Sequence, residues 1–351
     1  MKILMIRFSA LGDVAMLAPV VKEVVAALPD ADVTVMSRPF CAPLFEGLGE
    51  RVHFLGADIK GEYKGIKGLS RLFARLKEEH YDYVADMHGV LRTHYLSMRF
   101  RMAGYKVAKI DKRRAERRAL TAEGKKKRMV QLSTSFEKYR DVLRRLHIPG
   151  IEAIGSVEHG EPVRTFSSID PDVEQLLKGQ EGLEGMAVGI APFAAHKGKI
   201  LPVEKTERVI AMLLERQPRA RVFLFGGGGE ERTIMEQWQE RWKGRVVAAS
   251  PLLGSMRKEL QLMSRLDVML SMDSANMHLA SLVGTRVVSI WGATHPYAGF
   301  LGWQQKEEDC VQLPLECRPC SIFGNKPCQR GDFACMNGIK EEEIVKVISM
   351  S

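Results

Sequence analysis

At 351 residues, 45% of them hydrophobic, the chain is long enough for about two domains with sizeable cores, and no run approaches the ~18 apolar residues of a membrane span. The formal net charge of +9 points to anionic partners: nucleotides, phosphorylated lipid, a membrane surface or nucleic acid. Met1 to Arg7 is too short for a signal peptide and is interrupted by Arg7, so a cytoplasmic protein is expected.

The first strand is Ile3-Leu4-Met5-Ile6, followed by the turn Phe8-Ser9-Ala10-Leu11-Gly12-Asp13 and a helix from Val14 to Leu28 that contains Pro19. This strand-turn-helix lacks G-x-G-x-x-G, which argues against nicotinamide or flavin binding. Gly12 permits close backbone approach, with Asp13 at the mouth of the turn. Further strands are Val33–Met36, Val52–Phe54, Tyr83–Asp86 and Val107–Ile110, with an amphipathic helix over Leu69–Glu79. The Tyr83 strand runs into Met87-His88-Gly89, again polar at its carboxyl end. Two Asp-x-Asp pairs, Asp30/Asp32 and Asp170/Asp172, read as turn and cap residues rather than metal ligands.

From Lys112 to Arg128 the chain reads KRRAERRALTAEGKKKR, a mobile basic loop or loosely held helix. It lacks the interleaved aromatics of a single-strand binding surface, so phosphate groups or membrane are favoured over nucleic acid. A helix follows over Phe136–Leu146, then an interdomain linker within Pro149–Glu184.

The strand-helix pattern restarts at Ala187–Ala191, whose strand runs into Pro192 to Lys199; Pro202 opens a helix to Arg216. Strand Val222–Phe225 precedes Gly226-Gly227-Gly228-Gly229-Glu230, where glycines admit a ligand to the backbone and Glu230 can accept ribose hydroxyl hydrogen bonds. Val246-Val247 and a helix over Ser255–Arg265 come next. A strand beginning at Val268 then stops at Asp273-Ser274, both N-cap types, before a helix through Met277 and His278 and a strand over Val287–Ile290. Open parallel sheets bind ligands at such strand ends, and the helix N-terminus suits a phosphate. The pattern is α/β: two doubly wound Rossmann-like domains facing a cleft, over 1–165 and 166–335, with a C-terminal helix over 336–351.

Cys41 stands alone, while the other five of the six cysteines crowd the C-terminus. Cys317-Arg318-Pro319-Cys320 has C-x₂-C spacing, and Cys328 and Cys335 would complete a four-sulfur shell suited to structural zinc. Disulfides, an iron–sulfur cluster or unlinked thiols remain competing readings.

The chain resembles glycosyltransferase family 9, the ADP-heptose:lipopolysaccharide heptosyltransferases. The likeness rests on Arg7 to Asp13 with Pro19, Asp86 to Gly89, Lys199 to Pro202, Gly226 to Glu230, Asp273 to His278, and Gly292-Ala293-Thr294-His295-Pro296. Ser274-Ala275 stands where the family often has Thr-Gly, and Leu201 where it commonly has Trp.

The resemblance implies a GT-B fold and metal-independent, inverting transfer of heptose from ADP-heptose to the lipopolysaccharide inner core, with no cofactor for catalysis. Asp13 would be the general base, and Lys199 would balance charge on the departing diphosphate. Gly226, Glu230, Asp273, Ser274, Ala275, Asn276, His278 and Thr294 would form the donor site. Ser9, Gly12, His88, Arg92, Arg113 and Arg114 would hold an anionic glycolipid acceptor. The expected location is cytoplasmic, in peripheral contact with the cytoplasmic face of the inner membrane. Two rival classes stand beside this: a nucleotide-sugar epimerase of the same shape, and a non-catalytic binder of anionic polymer.

Overall fold

Ile3, Leu4, Met5 and Ile6 are wholly buried, the run of apolar residues a parallel strand needs when both its faces are covered. The computed structural model describes residues 1–155, 161–178 and 185–350, so 156–160 and 179–184 of the expected linker lie outside the described residues. The chain divides into two units, Met1–Arg113 with Ser133–Arg164, and Arg114–Leu132 with Thr165–Ser351.

In the first unit, strands β1 (Lys2–Ile6), β2 (Asp32–Ser37), β3 (Val52–Gly56), β4 (Tyr83–Asp86) and β5 (Lys106–Lys109) form a parallel sheet of order β3-β2-β1-β4-β5. The order reverses between β1 and β4, which pair from Ile3 with Tyr83 to Ile6 with Asp86. That switch point opens a crevice at the strands' carboxyl ends. The expected long first helix is two: α1 (Leu11–Ala15) and α2 (Leu17–Ala27). Pro19 sits in the first turn of α2, where no intrahelical N–H partner is required. Asp13 is therefore inside α1, not in the preceding turn, and Gly12 is buried in that helix. Helices α3 (Gly65–Lys77) and α4 (Leu91–Met102) pack together, with Phe73 edge-on to Phe100 at 5.0 Å. The sequence pattern did not mark α4, because apolar residues fall on both of its faces.

The chain then contributes α5 (Arg114–Leu120) to the second unit before returning with α6 (Ser135–Arg144) in the first. Residues 114–132 thus separate from the 1–165 domain in which the sequence pattern had put them. Thr134 caps α6 reciprocally with Glu137.

The second unit carries α7 (Pro171–Lys178), β6 (Ala187–Ala191), α8 (Val203–Arg216), β7 (Arg221–Leu224), α9 (Glu230–Arg241), β8 (Val246–Ala248), α10 (Ala249–Leu253), α11 (Met256–Met263), β9 (Val268–Met272), α12 (Ala275–Leu282), β10 (Arg286–Trp291), β11 (Cys310–Gln312), α13 (Ala334–Asn337) and α14 (Glu341–Ile348). Its sheet is parallel, of order β11-β10-β9-β6-β7-β8, and reverses between β6 and β9. Val188, Ile190, Leu270, Val288 and Ile290 from the strands and Ile344 and Ile348 from α14 share one core. Both units are therefore doubly wound, Rossmann-like α/β folds. The two Asp-x-Asp pairs mark the starts of elements: Asp30 lies in the turn before β2 and Asp32 opens that strand, facing His53 at 3.5 Å, while Asp170 precedes α7 and accepts the N–H of Asp172 in its first turn at 3.0 Å, with Lys258 pairing to both.

Candidate functional site

In the first unit, the loop after β1 and the loop after β4 meet at the switch point. Asp13 Oδ2 lies 2.7 Å from Arg7 Nη2 and accepts the Ala10 N–H at 3.2 Å. Arg7 is buried and donates to the Met87 carbonyl. Burial opposes its charge, but Tyr139 and Asp13 push its pKa up past that penalty, so it stays a guanidinium. Tyr139 stacks beneath it at 5.5 Å and donates its hydroxyl to the Asp13 carbonyl at 2.9 Å. Asp13 and its helix are thus gripped from two sides.

His88 lies beside them. Its Nδ1 accepts the Phe8 N–H at 3.5 Å and its Nε2 is 3.3 Å from Ser9 Oγ. Burial, then Arg7 and Lys112, push its pKa down to about 3, so it is a neutral imidazole that carries its proton on Nε2. Asp86 is buried and spends Oδ1 on the His88 and Gly89 N–H groups, at 2.9 and 2.8 Å; it shapes the loop rather than reacting. Gly89, at φ +61°, makes the bend that this requires. Arg92 is exposed in the first turn of α4. Arg113 pairs with Asp141 at 3.3 Å in the first unit, whereas Arg114 opens α5 in the second, so of the three expected acceptor arginines Arg92 and Arg113 belong to one unit and Arg114 to the other.

In the second unit, the loops after β6 and β9 meet at the other switch point. Lys199 Nζ lies 3.0 Å from Asp273 Oδ2. Asp273 is buried, and Ser274, Ala275 and Asn276 are half-buried where α12 begins. Ser274 makes no side-chain cap; its hydroxyl lies 3.2 Å from Ser271 Oγ. The first backbone N–H groups of α12 therefore stay available to an anion. His278 is buried one turn further on. Gly226 donates its N–H to Ser250 Oγ at 3.2 Å, and a Cβ there would meet Met235 at 3.0 Å. Glu230 opens α9 exposed and without a partner among the described residues, while Glu231 is the one that bonds the glycine loop, at Gly227 N. Thr294 is fully buried and its hydroxyl meets no partner among the described residues. Its carbonyl accepts from Arg318 at 3.0 Å.

Arg318 was not singled out from the sequence as a site residue. It is buried and donates to the Gly292, Leu313 and Thr294 carbonyls and to Gln312, holding the loop after β10. Its signal was a charged residue inside the C-x₂-C pair. The basic run is likewise held, at two of its cations. Lys127 donates to the Glu316 and Arg318 carbonyls at 2.8 and 2.9 Å, and Arg117 stacks on Phe300 and Phe323.

Cys317, Cys320, Cys328 and Cys335 line one narrow cavity of about 10 Å³ as free thiols. Among the described residues no three His, Cys, Asp or Glu side chains are set to hold a metal ion, so the sulfurs as arranged do not make the expected zinc shell. Burial pushes Cys335 up to about 11 and raises Cys320, keeping both as neutral thiols. Loop packing around Arg318 is what brings them together.

The sequence profile of Glycosyltransferase family 9 (heptosyltransferase) matches residues 69–326. Lipooligosaccharide heptosyltransferase 2 of Campylobacter jejuni is 24% identical over 127 residues, 36% of this chain and 39% of that protein, so the chain spans about two-fifths of that curated relative's length. Among solved structures, the glycosyl transferase family 9 protein of Veillonella parvula superposes with a TM-score of 0.73 at 18% identity, covering 99% of this chain and 96% of that one. The ADP-heptose lps heptosyltransferase II of E. coli gives 0.64 at 15%, covering 99% and 97%. Both structures share the fold. The profile match extends over most of the sequence, and the chain belongs to glycosyltransferase family 9.

Proposed function

We propose that the chain transfers a heptose from ADP-heptose to the inner core of a lipid A-type glycolipid, inverting the anomeric centre without a metal. The observation that carries this is the Asp13–Arg7 pair at the first unit's switch point, a carboxylate with an exposed edge held on a buried, permanently charged cation. Asp13 removes the proton of the acceptor hydroxyl as that oxygen attacks the anomeric carbon from the face opposite the diphosphate. The new glycosidic C–O bond forms as the bond to the β-phosphate oxygen breaks, and ADP leaves.

Lys199 and the N–H groups at the start of α12 take up the charge that grows on that oxygen. Asp273 orients Lys199, and Glu230 accepts from the ribose hydroxyls. Neutral His88 with Ser9 supplies hydrogen bonds to the acceptor sugar without adding charge. Arg92, Arg113 and Arg114 engage its anionic groups. The relative from E. coli is named for ADP-heptose, and the one from Campylobacter for lipooligosaccharide, which supports both halves of this assignment. We place the protein in the cytoplasm at the inner membrane surface, and no helix among the described residues is long and apolar enough to cross a membrane.

The test is turnover. Purified protein given ADP-heptose and a truncated lipid A–core acceptor should release ADP in step with glycosylated product. Sugar release or rearrangement without acceptor would instead favour an epimerase. Calorimetry should show ADP binding well ahead of UDP or GDP, and the reverse order would overturn the donor assignment.

A further inference from the structure

Helix α4 has two apolar faces, and only one is covered. Thr93, Leu96, Ser97 and Phe100 point inward and are buried. On the opposite side, Leu91, Met98 and Met102 are 87%, 48% and 78% exposed. With Tyr95 they fall at 91, 95, 98 and 102, an arc of about 60° at ~100° per residue. A surface helix of a globular protein normally turns polar residues outward there.

The flanks of this stripe are cationic. Arg92 and Arg99 run along one side, His94 and Arg101 along the other, and α4 contains no acidic residue. Helix α3 extends the same character. Ser70 Oγ bonds Tyr95 OH at 2.7 Å, and one turn earlier on α3 Ile66 is 70% exposed beside Lys67. Arg99 also bonds Tyr95 OH, at 2.9 Å, and stacks on Phe73, so the two helices present one fixed surface. Four exposed large apolar side chains within a rim of arginine and lysine match an anionic lipid surface: the apolar tips enter the acyl boundary and the cations stay among the phosphates.

We propose that the outer face of α3 and α4 docks the first unit on the anionic surface of a lipid bilayer. This rests on the glycolipid-acceptor reading for its purpose, since α4 begins directly after the Asp86–Gly89 loop beside Asp13 and would bring that loop to a membrane-anchored acceptor. It is separate from the basic run, whose Lys127 and Arg117 are already engaged inside the second unit.

The experiment is flotation of the full chain with vesicles of phosphatidylcholine alone or with ~30% phosphatidylglycerol. The expected result is salt-sensitive binding to the anionic vesicles only. The L91S/M98S/M102S triple variant should lose about tenfold or more of that affinity, because apolar insertion supplies the part salt does not screen. Arg101→Glu should weaken it independently. Since all four side chains are exposed, thermal melts should match the parent. Equal binding by parent and triple variant, equal binding to neutral vesicles, or no binding at all would overturn the proposal. So would a concentration-dependent dimer in sedimentation that the triple variant abolishes, which would make the face a contact between copies. Turnover on a soluble, delipidated acceptor should be untouched in the triple variant. Absence of turnover in the parent with vesicle binding intact would refute the transferase reading and leave this surface standing.

Discussion

The two switch points carry the same pair of charges in opposite arrangement. In the first unit the cation is the more buried member, Arg7 at 9% against Asp13 at 26% side-chain exposure; in the second it is the carboxylate, Asp273 at 5% against Lys199 at 16%. The outer member of each pair is the one that faces the crevice. An outward carboxylate suits proton removal, and an outward ammonium suits a diphosphate. Similar strand-end crevices thus present opposite charges, and burial, more than residue type, decides which partner faces outward.

The largest test of this contrast removes the outer carboxylate. Asp13→Ala should lower turnover by roughly 10²–10⁴, the usual worth of a general base, with ADP affinity from calorimetry unchanged. Near-parental turnover in a folded variant would take the base role away from it.

Lys199→Ala should cost roughly 10²–10³ in kcat/KM, the scale for one electrostatic stabiliser of a leaving group, and should weaken ADP as well. It also strands a buried carboxylate, so the melting temperature should fall. Asp273→Asn sharpens the point: a loss of ADP affinity smaller than that of Lys199→Ala is expected, because Asp273 only orients Lys199.

Removing the inner cation should do less and do it differently. Arg7→Gln takes away the opposite charge that favours ionised Asp13, so the acid limb of the pH–rate profile should move to higher pH while the plateau falls only modestly. An unmoved limb with an equal loss at every pH would mean Arg7 serves only the fold.

The smallest effect concerns stability against pH. Burial, with the Arg7 and Lys112 charges, lowers His88 to about 3, and burial, with Arg318 and Lys127, lowers His295 to about 4. Below about 6.5 the unfolded chain takes up protons that these folded histidines refuse. Their contribution is therefore whole above that pH and drains away as pH falls towards 4 and then 3. His88→Gln and His295→Gln should each flatten the melting temperature over that window, and curves parallel to the parent would contradict the buried, neutral assignment.

Much of this was legible in the linear chain. Apolar strands such as Ile3–Ile6 and Val268–Met272 declare themselves because a parallel strand must be apolar on both faces. Residues that follow them, Asp13, His88, Lys199 and Asp273, are local in sequence to a strand end, and topology brings strand ends together. Sequence by itself therefore determined the fold class, the family and which loops lie at the two switch points.

Tertiary structure decided the rest, because it depends on contacts between segments far apart in the chain. Arg7 reads as the charge that ends a strand until Met87 and Tyr139 bury it beside Asp13. The run from Lys112 to Arg128 reads as a basic loop or loosely held helix until Arg318 and Phe300, nearly two hundred residues on, supply partners for Lys127 and Arg117. Helix α4 escaped notice because periodicity detects one apolar stripe and α4 has two, and only its packing on α3 and β4 shows which faces inward. Four cysteines spaced for a metal line one cavity as free thiols, two buried and two half-buried, since spacing sets what a chain can reach and packing around Arg318 sets where the sulfurs come to rest.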